Sequence, residues 1–235
     1  MPRRSDARRL IIPLALALLL VPGCAGAPPA PVPTPTHLDL GAEWGDDVGN
    51  GVTLLGTEDA RAAVLSAMRE QRGVSMQGTF TDAGGQTMTM SVSGRGGAVQ
   101  AEFGVGAQTT SISIIDGVAY LLESPSTKTD DGEAGAYACL GTDDPAIARW
   151  RKLLDPIRTV ADFTADASAI APVDEATANL VLGDEGALGV LTVSADAEPL
   201  PIRLVRADAA GTMDVAFDEW GDAEVEQPSP LAEGC

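Results

Sequence analysis

The chain has 235 residues, 34 of them acidic against 15 basic, for a formal net charge of −19. A surface so acidic is repelled by phosphate backbones and by anionic lipid headgroups, and no basic stripe offsets it, which excludes nucleic acid as a partner. The length suits one medium domain on a tether, and the single histidine, His37, leaves no Ser-His or Cys-His pair for nucleophilic catalysis inside that domain.

Four arginines, Arg3, Arg4, Arg8 and Arg9, precede an apolar run over residues 10–21 that is too short to span a bilayer comfortably. It ends in Val21-Pro22-Gly23-Cys24. A small residue followed by cysteine resembles the bacterial lipobox, which implies a signal peptide over residues 1–23 and a diacylglyceryl group on the sulfur of Cys24. An ordinary signal peptide cleaved after Ala25 or Ala27 is the alternative. Loss of residues 1–23 leaves about 212 residues and a net charge of about −22. With Cys24 acylated, Cys139 and Cys235 are the remaining thiols of an exported domain, and a disulfide between them is expected; the alternatives are free thiols or an intermolecular bridge.

Residues 24–53 read as a tether. Residues 25–36 are proline-rich and favour extended polyproline II, His37 is a solvated linker residue, and Leu38, Leu40 and Trp44 are candidates to dock on the domain over residues 54–235. From Thr57, read as an N-cap, Ala60, Ala63, Val64, Ala67 and Met68 recur at helical spacing, and Gly73 is expected to stop that helix. Residues 87–92 then alternate with period two. Gly94-Arg95-Gly96-Gly97 reads as a turn into a strand carrying Val99, Ala101 and Phe103. The runs 111–115 and 118–122 flank Asp116-Gly117, which suits a two-residue type I′ hairpin turn. Residues 124–135 read as a surface loop.

Asp144-Pro145 is expected to cap a helix presenting Ile147, Trp150 and Leu154 on one side, and Asp155-Pro156 to break it and start another. Strands are then expected over 178–182, 189–194, 202–207 and 212–217. This order of elements points to an α+β fold in which one curved antiparallel sheet is covered on a face by helices.

Several runs in this order resemble the actinobacterial envelope lipoproteins of the LppX/LprA/LprF/LprG family, itself similar to the periplasmic lipoprotein carrier LolA. They are the helix of residues 58–72, Ile114-Ile115-Asp116-Gly117-Val118-Ala119-Tyr120, the Leu154-Asp155-Pro156 break, Pro199-Leu200-Pro201-Ile202-Arg203-Leu204, and Phe217-Asp218-Glu219-Trp220-Gly221. The resemblance covers residues 57–228. It implies a half-barrel, helices packed on the concave face, whose hollow holds acyl chains of a lipid or glycolipid at the outer face of the cytoplasmic membrane. The cysteine pair is not part of the family pattern.

The residues that would line such a hollow are Met88, Met90, Val92, Phe103, Ile112, Ile114 and Leu121 on the strands, with Val64, Met68 and Leu154 on the helices. The other reading of the same residues is a dry core in which sheet meets helices, leaving an interaction or scaffolding lipoprotein with no ligand. No catalytic residue, metal or cofactor is expected. Asp130-Asp131 reads as a solvated loop, Asp143-Asp144 as a helix cap, and Gly104-Val105-Gly106 as a turn, because a phosphate cradle needs a helix N-terminus. Asp130-Asp131-Gly132-Glu133 lacks the alternating ligands of a calcium loop. The hydrophobic ligand and any protein partner stay unnamed.

Overall fold

The computed structural model describes residues 49–95, 97–125 and 135–235. The signal segment, Cys24, most of the tether with His37 and Trp44, and the acidic run 130–133 lie outside them. Among the described residues, eleven strands are accompanied by three α-helices. The first helix is α1 (Thr57–Glu70), followed by β1 (Gly73–Asp82), β2 (Thr87–Arg95), β3 (Ala98–Val105), β4 (Gln108–Ile115), β5 (Val118–Pro125) and β6 (Ala138–Gly141). The short helices α2 (Pro145–Ala148) and α3 (Pro156–Phe163) come next, then β7 (Ala167–Pro172), β8 (Thr177–Leu182), β9 (Gly189–Ser194), β10 (Pro201–Asp208) and β11 (Gly211–Asp218).

All strands lie in one open antiparallel sheet of order β6-β5-β4-β3-β2-β1-β11-β10-β9-β8-β7. Two meanders therefore run outward from a shared seam, where β1 pairs β11 from Ser75 opposite Asp218 to Asp82 opposite Gly211. The result is the α+β half-barrel, a curved antiparallel sheet with helices packed on its concave face.

Alternation along each strand selects the concave residues. Met76 pairs Val92, Val92 pairs Ala101, Ala101 pairs Ile112 and Ile112 pairs Leu121, so one apolar row crosses five strands. On the other meander Leu180, Leu191, Leu204 and Val215 form the matching row. Of the buried stripe of α1, Ala60, Val64, Leu65 and Met68 join these rows in one cluster. A helical stripe with few polar residues has nowhere else to go, and burial of each large side chain stabilises by about 1.5–3 kcal/mol.

The strand alternations hold, and so does the Asp116-Gly117 hairpin. Asp116 and Gly117 both take positive φ, 51° and 79°, as a type I′ turn requires. Several local expectations need correction. Gly56, not Thr57, occupies the N-cap of α1, and Thr57 is its first helical residue. Gly73 does not terminate α1; the helix ends at Glu70, and Gly73 opens β1. Gly94 and Arg95 belong to β2, where they pair Val99 and Ala98 of β3. Residues 124–125 complete β5, and 126–134 lie outside the described residues.

The helix expected to run through Trp150 and Leu154 lasts one turn. The Asp144 carboxylate caps it by accepting from the Ala146 amide at 2.8 Å, and irregular turns follow. Asp155 caps α3 by accepting from the Arg158 amide at 3.0 Å. At the other end, the chain is pinned by Asn50, which donates from its amide to the carbonyls of Ser194 and Ala197, while Val52 is buried.

One ion pair ties α3 to the sheet. Arg206 on β10 donates to both carboxylate oxygens of Asp166, at 2.9 and 3.0 Å, to the Phe163 carbonyl at 2.8 Å and to Asp208 at 3.1 Å. Hydrogen bonding from Arg206 holds Asp166 below the ordinary carboxylate range; the Ala210 amide, then Arg206, does the same for Asp208. Groups whose folded pKa is depressed contribute fully above the unfolded value of about 4 and lose that contribution as pH falls below it. Urea unfolding midpoints should therefore stay level from neutral pH to about pH 5 and drop below about pH 4. The acid drop should be shallower in Arg206→Leu; an identical pH profile in both proteins would show that the pair contributes nothing.

Candidate functional site

The concave face closes over most of its length. Of the ten residues expected to line a hollow, Val64, Met68, Met90, Val92, Phe103, Ile112 and Leu154 are buried, and Met88, Ile114 and Leu121 are half-buried against the same cluster. The structure brings all ten together. Met68 and Leu154 also face open space, a groove of about 600 Å³ at one end of the half-barrel.

This groove forms where four elements meet without filling the gap. The C-terminal turn of α1 brings Met68, the start of β1 brings Val74, the start of β3 brings Val99, and the entry to α3 brings Leu154, Pro156 and Ile157. Its surface is mainly apolar. Gly94, at the end of β2, provides much of the room, because a Cβ built there meets only the Ala98 carbonyl oxygen, at 3.7 Å. The lining is also charged in places, at Arg72, Arg95 and Asp155.

A second groove, of about 590 Å³, opens at the opposite ends of the strands and differs in chemistry. It is lined by Gln86, Gln108, Thr109, Thr110 and the ion pair of Arg149 with Glu123, beside Trp150. Trp150 stacks on Phe103 with ring centroids 4.2 Å apart and planes 8° apart, and the Arg149 guanidinium lies 5.3 Å from its ring centroid. The segment 149–157 thus separates a polar opening from an apolar one.

Sequence reasoning missed Val74, Val99 and Ile157 as groove residues. The signal that could have found them is the pair of small residues Gly94 and Gly97 closing an otherwise regular strand, which leaves space on the concave side. Among the described residues no three His, Cys, Asp or Glu side chains gather as a metal ion would need. Cys139 on β6 and Cys235 are joined by a disulfide. Cys139 lies opposite Tyr120, on the convex face and away from both grooves.

Comparison with known proteins gives a likeness in structure. A crystal structure of LprF from Mycobacterium bovis aligns with 14% sequence identity over 75% of this chain and 97% of that one, at a TM-score of 0.43. No protein-family model matches the chain, and no curated protein matches it.

Proposed function

We propose that this chain is an exported lipoprotein, anchored through acylated Cys24 at the outer face of the cytoplasmic membrane, that holds a hydrophobic ligand, a lipid or glycolipid, in the apolar groove. The observation that carries this reading is the 600 Å³ groove lined by Met68, Val74, Val99, Leu154 and Ile157. That volume lies within the range of small-ligand sites, and each methylene moved from water into it gains about 0.8 kcal/mol. Binding is non-covalent: apolar contact supplies the affinity, and no bond in the ligand is broken. A second reading, an anchored interaction module without ligand, is favoured by the burial of seven of the ten candidate residues in the chain's own core.

Native mass spectrometry of a soluble Cys24→Ser form separates the two, since co-purifying lipid supports the carrier and uniformly empty protein supports the module. A groove-filling variant makes the result specific. Gly94→Phe places a ring in the groove, at a backbone position with ordinary φ and no backbone atom closer than 3.7 Å to the new Cβ. Affinity for an apolar fluorescent dye should fall at least tenfold while the urea midpoint changes little. Undiminished dye binding in Gly94→Phe would move the ligand elsewhere.

A further inference from the structure

The distribution of arginines around the groove is uneven in a way that bears on its ligand. Arg61, Arg149, Arg151, Arg203 and Arg206 each pair with a carboxylate of the protein. Arg69, Arg72, Arg95 and Arg158 do not enter an ion pair among the described residues, and of these four Arg72 and Arg95 line the groove. Both are exposed.

Strand pairing brings their backbones close: Arg95 is the register partner of Gly73, the residue that follows Arg72. Of the carboxylates nearby, Asp155 lines the same groove with one oxygen accepting from the Arg158 amide, and Glu224 and Glu226 share a neighbouring cleft with Arg95 without closing to ion-pair distance.

Resting on the carrier reading above, we propose that the ligand is an anionic amphiphile, with its acyl chain in the apolar groove and its carboxylate or phosphate head held by Arg72 and Arg95. A guanidinium offers a planar fork of donors that matches either oxyanion in bidentate fashion, and two at the mouth of an apolar groove supply both halves of such a recognition. The overall acidity of the chain opposes an anion at long range. Beyond a Debye length of about 8 Å at physiological salt those distant carboxylates are screened, whereas Arg72 and Arg95 act at contact distance.

The test uses three probes with the same eighteen-carbon chain, oleyl alcohol, oleate and oleyl phosphate, and inorganic phosphate alone, each competing with an apolar dye on the soluble Cys24→Ser protein. Oleate or oleyl phosphate should displace the dye at least tenfold more tightly than oleyl alcohol, and inorganic phosphate should not displace it. In R72Q/R95Q the advantage of the charged heads should vanish while oleyl alcohol binds as before, which also reports an intact fold. K152Q, with the same change of charge per site at a residue that does not line the groove, should keep the advantage.

Equal affinity for alcohol and acid, or an advantage that survives R72Q/R95Q, overturns the headgroup assignment and leaves the groove reading standing. If no oleyl probe displaces the dye, or displacement is unchanged in Gly94→Phe, the groove reading itself fails and the headgroup assignment falls with it. Displacement by inorganic phosphate alone would mark the arginines as a phosphate site with no part in lipid binding.

Discussion

Gly78→Val is expected to destabilise the domain by about 3 kcal/mol or more, enough to remove much of the stability of an ordinary domain. Gly78 lies on β1 at the seam, opposite Val215 of β11 and Met90 of β2. A Cβ at this position meets the Asp214 carbonyl oxygen at 2.0 Å and the Val215 Cα at 2.7 Å. Both are backbone atoms of β11 and cannot rotate away, so the strand itself has to move.

The seam is where the two meanders join in the sheet order, so the displacement separates the row running from Met76 to Leu121 from the row running from Leu180 to Val215. Gly78→Ala should act in the same direction and more mildly, and Gly94→Ala should be near neutral because its Cβ has room. Urea midpoints of the three variants measure the order directly. A Gly78→Val protein within 1 kcal/mol of the parent would mean that β1 and β11 do not approach as described.

That seam was the least legible part of the fold. β1 escaped sequence reasoning because Val74, Ser75 and Met76 are all buried, so polarity does not alternate where the strand begins, and because Gly73 reads equally well as a helix stop. β6 has four residues, and β7 is built from Ala167-Ser168-Ala169-Ile170-Ala171, whose small side chains carry little strand signal. By contrast β8 to β11 were readable, since each is a short alternating run bounded by Gly, Asp or Pro.

The candidate site divides along the same line. That Met90, Val92, Phe103 and Ile112 share a face follows from period two alone. Whether space remains beside them depends on how the start of β1, the Gly94 end of β2 and the entry to α3 fail to interlock. That is a property of packing between elements distant in sequence, which no local pattern carries.

Replacing both Cys139 and Cys235 by serine is the second change expected to act strongly. The bond closes a loop with a sequence separation of 96, for which loop entropy in the unfolded chain corresponds to about 4–5 kcal/mol. Part of the native attachment survives its loss. Tyr137 bridges Leu231 in parallel, the Tyr137 amide donates to the Pro230 carbonyl at 2.9 Å, and the Ala232 amide donates to the Tyr137 carbonyl at 2.9 Å. Further back the Glu226 amide donates to the Gln100 side chain at 3.1 Å, Ala223 is fully buried, and the Gly221 amide donates to the Gly73 carbonyl at 2.8 Å.

These contacts hold the folded strap but place no constraint on the unfolded chain, so the double variant should lose about 2–5 kcal/mol of global stability without losing the half-barrel. Hydrogen exchange should quicken first over 224–235 and β6, at the edge of the sheet, while β1 stays protected until global unfolding. Dye binding in the groove should persist, because no residue of 224–235 lines it. A double-serine protein that unfolds at the same urea concentration as the oxidised parent would show that the crosslink does not restrain the unfolded chain. Early exchange of β1 instead of β6 would place the weak edge of the domain at the seam, and the strap would then be an ornament on a structure held elsewhere.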